Sequence, residues 1–328
     1  MNVKPRKYLV VGGLGFLGSH VTQALTRTER QIAVLDRHEA TENGVVGANV
    51  VIYQGDFAVP LATTPRGALS EVETVLHFAW TSLPGDAGEN IAADAAANVA
   101  GSLALFGAAC DEGVKTILFA GSGGTVYGPQ AVTPTPEDAP THPLCAYGVT
   151  KLAVEHYLRL YTLGRSFFAP ADDRRAIPPE RGIVLRYGNP FGRSRPHLHG
   201  RQGVIDVALG KLLRDEPLEI WGDGSVVRDY FHIDDLTRIT LGVLDRVPKG
   251  FHIFNVGSGN GVSLRDAVAL IEKVTGRQLR KTFRSARPMD VPVSILDSSK
   301  LLRQLDLKSE ISLADGIARA WEQVCKEN

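Results

Sequence analysis

Charge of one sign is what this chain most plainly lacks. Lys and Arg together number 36, Asp and Glu also number 36, and the net charge at pH 7 is zero. Without a basic surplus, general binding of nucleic acid or of an anionic membrane surface is not expected. Cysteine is scarce as well: Cys110, Cys145 and Cys325 are odd in number and far apart, which argues against a disulfide framework and for a reducing compartment. No apolar run approaches the ~18–20 residues of a membrane span, and the N-terminus shows no signal-peptide apolar core or cleavage site. Internal repeats and low-complexity tracts are missing too. The expectation is a cytoplasmic protein that meets neither nucleic acid nor membrane. Its 328 residues suffice for one large domain or two lobes with an ample core.

Glycine, by contrast, is placed where it matters. The apolar strand Lys7–Val11 runs into Gly12-Gly-Leu-Gly15-Phe-Leu-Gly18, and an amphipathic helix follows to about Thr28. Next comes a strand over Ile32–Asp36 that ends in an acid. Strand, glycine turn, helix and acid in that order form a βαβ unit for a dinucleotide. The glycines let backbone approach a pyrophosphate, and the helix start offers N–H groups to the anion. Asp36 is placed to accept from an adenosine ribose and would repel a 2′-phosphate, which favours NAD; the adjacent Arg37 keeps NADP open.

Further strands are expected over Val50–Tyr53, Thr74–Phe78 and Thr116–Ala120. After the first, Asp56 and Phe57 are candidates for adenine contact, although a lone Asp at a strand end is more often a turn residue. After the second, Phe78 and Ala79 bring the chain close to a pyrophosphate. His77 there reads more readily as a packed histidine than as a catalytic base. Asn90–Glu112 is an alanine-rich helix containing Asn98, a residue disfavoured in helix interiors and so either a member of a water or backbone network under the site or, equally, a tolerated polar residue. The loop Ser122–Tyr127 then reaches the sheet edge where doubly wound folds bind ligands. Tyr147 and Lys151, at i and i+4, share one face of the next helix, Tyr147–Tyr161. On spacing alone the pair reads more readily as a solvated helical pair; beside the dinucleotide turn, Lys151 would favour the ionised Tyr147 phenol and lower its pKa from about 10, which suits a proton acceptor from a sugar hydroxyl.

The segment 162–182, rich in Pro, Arg and Asp, reads as an exposed loop. Strands at Ile183–Arg186, Pro217–Trp221 and Gly250–Val256 and helices at Val204–Leu213, Ser263–Thr275 and Ser312–Glu327 complete the chain. His197-Leu-His199 has no Cys or acidic partner nearby in sequence, so no metal is expected.

Thr125-Val-Tyr-Gly128, Tyr147-x-x-x-Lys151, Arg186-x-x-Asn189-Pro-x-Gly192 and the long run Glu219–Leu236 together resemble the extended short-chain dehydrogenase/reductase superfamily, in its nucleotide-sugar epimerase/dehydratase branch. The match covers nearly the whole chain. The resemblance implies an α/β fold: a Rossmann-type doubly wound parallel sheet with a smaller C-terminal substrate-binding lobe. The NAD domain would hold residues 1–185 with a return segment near 228–258, and the sugar-nucleotide lobe 186–227 and 259–328. It implies NAD held at Gly12, Gly15, Phe16, Leu17, Gly18 and Asp36, with Arg37 beside it. Asp56, Phe57, Phe78, Ala79, Asn98, Tyr147 and Lys151 complete the cofactor set. For a nucleoside-diphosphate sugar, most readily a UDP-hexose, it implies contacts from Asn189, Val204, Arg228, Arg287 and Asp290, the two arginines clamping the diphosphate. A homodimer through the Asn90–Glu112 and Tyr147–Tyr161 helices is also implied.

The chemistry so implied is oxidation at C4 to a 4-keto sugar, with Tyr147 taking the hydroxyl proton, then return of hydride to the opposite face. A 4,6-dehydratase of the branch carries an Asp-Glu pair where this chain has Gly124 and Thr125, and the decarboxylase Glu is missing there too. The hydroxyl that usually assists the tyrosine aligns with Gly123, which leaves Ser122 or Thr125 to supply it. A 4-ketoreductase, decarboxylase, dehydratase or uronic-acid epimerase of the same branch and a non-catalytic sensor of NAD or sugar nucleotide are the rival readings.

Overall fold

The computed structural model describes residues 7–38, 47–58, 66–85, 87–164, 177–192, 203–286 and 291–326. Its contacts form two units, one of Met1–Ser122, Cys145–Leu185 and Leu244–Phe254, the other of Gly123–Leu144, Arg186–Val243 and Asn255–Asn328. The return segment of the first unit is therefore Leu244–Phe254, narrower than 228–258, and Gly123–Leu144 clusters with the second unit. The reason is hydrogen bonding: Tyr127, Thr135 and Glu137 bind Arg186, Ile295 and Asn255.

In the first unit, strands β1 (Lys7–Val11), β2 (Gln31–Asp36), β3 (Val50–Gln54), β4 (Val72–His77) and β5 (Thr116–Ser122) alternate with helices. With β6 (Arg181–Tyr187) and β10 (Gly250–Val256) they form a seven-stranded sheet of order β10-β6-β5-β4-β1-β2-β3. β1 pairs in parallel with β2 and β4, and the strand order reverses beside it. Loops after β1 and β4 thus open on the crevice where such sheets bind ligands. Four of five residues in β1 and five of six in β2 are buried, the near-continuous apolar pattern of strands covered on both faces. Phe106, Phe119, Leu9 and Val184 anchor this core, each contributing about 1.5–3 kcal/mol by burial.

Helix α1 (Phe16–Thr26) follows the glycine turn. The alanine-rich stretch forms one continuous helix, Ile91–Asp111, long and apolar enough to cross a membrane by length and composition. That corrects the expectation that no stretch would be. It is built as α2 (Ile91–Asp94), a π-helical turn over Ala95–Ala100 and α3 (Gly101–Asp111), with Asn90 capping it by accepting from Ala93 N–H at 3.0 Å. Its polar residues Asp94, Asn98 and Ser102 point inward, whereas Ile91, Ala92, Ala93 and Ala96 are exposed. The Ser122–Tyr127 segment is not all loop: Gly123–Val126 is a helical turn, α4. Helix α5 spans Ala146–Leu163. The loop expected over 162–182 lies outside the described residues for 165–176.

The second unit contains β7 (Asn189–Phe191), α6 (Val204–Leu213), β8 (Leu218–Trp221), β9 (Val227–His232), α7 (Ile233–Arg246), β11 (Gly261–Ser263), α8 (Leu264–Thr275), β12 (Lys281–Arg284), β13 (Val293–Ser294), α9 (Ser299–Leu305) and α10 (Leu313–Lys326). β9 pairs with β7, β11 and β13 in one small sheet, and β8 with β12 in another. Helices α6, α8 and α10 share an apolar core through Leu209, Val268 and Ile317. Ser263 caps α8 by accepting from Asp266 N–H at 3.1 Å, and Gly276 ends it in the left-handed region.

Candidate active site

The turn after β1 is built so that only glycine fits. Gly12 has φ +80°, and a Cβ there would lie 2.5 Å from the Ala79 nitrogen; one on Gly18 would lie 2.1 Å from the Gly12 carbonyl oxygen. Phe78 and Ala79 N–H both donate to the Val11 carbonyl at 2.9 Å, which draws the β4 loop onto the turn. Phe16 and Leu17 begin α1, whose first turn has no side-chain cap and no acidic residue, an arrangement suited to an anion. The buried Asp36 carboxylate accepts from Leu14 N–H at 2.9 Å and His38 N–H at 3.1 Å, which fixes it at the end of β2 with Arg37 exposed beside it. These residues fit a dinucleotide. Asp56 accepts from Ala58 N–H at 2.9 Å, an Asx turn, and the Phe57 side chain packs in the core against His77 at 5.0 Å. The Phe57 ring is thus not a surface for adenine, because the core already encloses it.

Tyr147 opens α5, and Lys151 lies one turn on. The Tyr147 hydroxyl has no hydrogen-bond partner among the described residues. The protein crowds the ring and raises the phenol pKa above its ordinary value, with Cys145 and Asp94 acting in the same direction. Here the expectation of a lowered pKa is corrected: desolvation exceeds whatever Lys151 supplies. Lys151 is itself pushed down to about 7 by burial, against the pull of Glu155 and Asp94. Its ammonium donates to the Ala120 carbonyl at 2.9 Å and lies 3.7 Å from the Trp80 ring centroid.

Beneath this pair is a polar network. Asn98, wholly buried in the π-helical turn, accepts from Thr81 N–H at 2.9 Å and from its hydroxyl at 3.1 Å, and donates to Asp94 at 2.9 Å. Asp94 also accepts from Ser82 and, at 2.9 Å, from Thr150. A π turn widens the helix at a point where Asn is otherwise disfavoured, a common device near functional sites. His77 packs among Phe57, Phe106 and Phe119 with Nε2 2.9 Å from the Ser102 hydroxyl. Burial, aided by Lys151, lowers its pKa to about 3, so it is neutral and no base near pH 7.

In the second unit, Gly123 is dictated by packing: a Cβ there would lie 2.5 Å from Leu296 Cδ1 and 3.2 Å from the Arg186 carbonyl oxygen. The hydroxyl missing at this position has no room without displacing Leu296. Thr125 lies on α4, and Ser122 closes β5 in the first unit; both are partly buried. The Asn189 Oδ1 is buried with no hydrogen-bond partner among the described residues, and a Cβ on Gly124 would sit 3.9 Å from it. An orphaned buried acceptor costs about 1–3 kcal/mol, so Asn189 is primed for a donor from outside the protein. Val204 begins α6 after Gly203, whose φ is +81°. The Arg228 guanidinium is anchored by the Val227 and Val291 carbonyls at 2.9 and 2.7 Å. Arg287 and Asp290 lie outside the described residues, as do His197 and His199.

Residues absent from the sequence-derived set also shape the two units. Tyr127 donates to Asn255 Oδ1 at 2.7 Å and accepts from the buried Arg186 at 2.8 Å. The motifs around Tyr127 and Arg186 were legible, but not that they bind each other across 59 residues. Asp94, Thr150 and Trp80 gave no local signal at all. No cluster of metal-binding side chains occurs among the described residues.

A family model described as the NAD dependent epimerase/dehydratase family matches residues 8–257. A UDP-glucose 4-epimerase of Bacillus subtilis is 32% identical over 95% of this chain and 95% of its own. A dTDP-4-dehydro-6-deoxyglucose reductase of Escherichia coli is 28% identical over 99% of this chain and 100% of its own. Among solved structures, a UDP-glucose 4-epimerase of Thermotoga maritima with UDP-glucose has a TM-score of 0.86 at 30% identity, covering 98% of this chain and 99% of that one. With its strand order, glycine turn and Tyr-Lys pair, the chain belongs to the NAD-dependent epimerase/dehydratase family.

Proposed function

We propose that the protein is a nucleotide-sugar 4-epimerase that uses tightly bound NAD and acts on a nucleoside-diphosphate sugar, most readily a UDP-hexose. The observation that carries this reading is Tyr147: its hydroxyl has no partner among the described residues, and Lys151 stands one helical turn away. Bound NAD would supply an acceptor and donor of hydride for the sugar C4, and positive charge beside it. Ionised Tyr147 takes the C4 hydroxyl proton as the C4–H hydride leaves, so a 4-keto sugar forms. The neutral Tyr147 later gives that proton back to the carbonyl oxygen when hydride arrives at the opposite face. Because burial raises the phenol pKa even with Lys151 one turn away, further positive charge, of the kind a bound oxidised cofactor would supply, favours its ionisation.

The turn at Gly12, Gly15 and Gly18, with Phe16, Leu17 and the start of α1, holds the pyrophosphate. Asp36, with Arg37 at its side, takes the ribose, and the Asp56–Phe57 and Phe78–Ala79 backbones border the site. Asn98 sets the loop at Thr81. Asn189, Val204, Arg228, Arg287 and Asp290 take the sugar nucleotide, and Ser122 or Thr125 supplies the hydroxyl that Gly123 lacks. The competing reading is a 4-ketoreductase, supported by the similarity to the reductase of E. coli.

Incubation with UDP-glucose, UDP-galactose, their N-acetyl forms, UDP-glucuronate and a dTDP-hexose, with no cofactor added, tests this by mass and NMR. A product of unchanged mass with inverted C4 is expected. Loss of water or carbon dioxide, or turnover of a keto sugar only with added NADPH, sinks it.

A homodimer is part of the proposal. Ile91, Val149, Tyr157 and Leu160 expose apolar surface on α2 and α5, while the polar residues of the first helix turn inward. Light scattering on the purified protein and on Leu160→Glu, which should be monomeric, checks it. A cytoplasmic location is proposed on the three free cysteines and is checked by fractionation.

A further inference from the structure

Lys151 is a buried cation held chiefly by aromatic rings. It is 3% exposed and donates to the Ala120 carbonyl, and its ammonium lies 3.7, 4.8 and 5.6 Å from the ring centroids of Trp80, Phe119 and Tyr147. Among the described residues no ion pair includes it. The charged or titratable groups facing it are Tyr147 and Glu155 on α5, Asp94 on α2 and the neutral His77 on β4. Trp80 touches both members of the pair, since its ring also meets Tyr147 edge-on at 6.0 Å. The backbone fixes it from both sides: Ala79 N–H donates to Val11 and Thr81 N–H to Asn98, each at 2.9 Å.

An aromatic face attracts an ammonium through its quadrupole without carrying a counter-charge. A carboxylate in the same place would cancel the field that Tyr147 feels and could take the proton. We propose that Trp80 is a positioning residue for the reaction: its indole face cradles the Lys151 ammonium and its ring packs against that of Tyr147, which keeps the positive charge unneutralised beside the phenol. This rests on Tyr147 and Lys151 being the acid–base pair. The indole Nε1 is buried with no partner among the described residues, so no hydrogen bond to them from the N–H holds Trp80 in place.

The test compares Trp80→Leu, Trp80→Phe, Lys151→Met and Tyr147→Phe with the parent enzyme, as holoenzyme. Melting and NAD content first establish which variants are folded and loaded. Trp80→Leu should lose about 10-fold or more in kcat with KM within about 3-fold. Its Lys151 titration, read by carbon-13 NMR of labelled lysine side chains from about pH 6 to about pH 10, should move down by about one pH unit. Trp80→Phe keeps a ring face and should stay within about 3-fold of the parent, with its titration near the parent's; it also serves if the leucine variant does not fold. Equal losses in the phenylalanine and leucine variants, or an unmoved titration in Trp80→Leu, overturn the cradle. If Lys151→Met and Tyr147→Phe keep full turnover, the acid–base reading itself fails and takes the cradle with it. If both are inactive while Trp80→Leu is fully active, only the cradle fails.

Discussion

Two tyrosines twenty positions apart show what separates scaffold from chemistry. Tyr127, in the second unit, is 3% exposed, and its hydroxyl both donates to Asn255 and accepts from Arg186. Burial pushes it up to about 12 even with the guanidinium beside it. Tyr147, in the first unit, also sits above the ordinary phenol range, but its hydroxyl is bound to nothing among the described residues. The accompanying cations differ in the same way. Arg186 is held by a phenol and the Glu137 carbonyl, whereas Lys151 rests against rings. A raised pKa alone therefore does not mark the reactive phenol. An unengaged hydroxyl beside a cation that can still gain or lose its proton does.

The largest expected effect separates these tyrosines. Tyr147→Phe should cut turnover by about 10²–10⁴-fold while melting point and NAD content stay near those of the parent. Tyr127→Phe should instead lower stability by about 1–3 kcal/mol, since it strands Asn255 Oδ1 and one guanidinium hydrogen; urea denaturation measures it. If Tyr127→Phe proved the more damaging to turnover, the contrast would be reversed.

Lys151→Met sharpens the cation half. Turnover should collapse, yet the variant should be more stable than the parent near pH 6. Folding lowers the lysine pKa from 10.5 to about 7, so between those values the unfolded chain binds more protons. The lysine's contribution to stability therefore rises with pH across that window, and its cost is greatest below about 7. A tenfold change in proton affinity corresponds to about 1.4 kcal/mol, so the gain on replacing the lysine is on the order of a few kcal/mol. Thermal melts at pH 6 and pH 9 check this: the gap between variant and parent should narrow at the higher pH.

Asn189→Ala should raise KM by about 10-fold, one hydrogen bond from a buried acceptor, with little change in melting. Isothermal titration with UDP measures the same loss without turnover. The smallest effect is expected from Gly123→Ser, which pushes Leu296 aside and should cost about 1–3 kcal/mol as overpacking. Combined with Leu296→Ala, the two losses should sum to less than their separate total, and unfolding midpoints of the three variants would show it.

Much of the fold was legible because its signals are local. The glycine turn, the strands at 7–11 and 250–256, the helix at 204–213 and the Ser263 cap follow from apolar runs and turn residues read over a few positions. Other features depended on distant partners. The π turn around Asn98 exists because Thr81 and Asp94 meet it, and Gly123–Leu144 clusters with the second unit because Tyr127 reaches residues 59 and 128 positions away. Phe57 is a plausible adenine contact in sequence, yet the core encloses its ring.

By itself the sequence determined the family, the βαβ nucleotide turn and the identity of the Tyr-Lys pair, since each is a short pattern whose chemistry depends on residue type and spacing. Only the tertiary structure decided the electrical state of that pair. Desolvation and the company of rings depend on which distant side chains surround a group, and here they raise Tyr147, bring Lys151 near neutrality and set Trp80 against both.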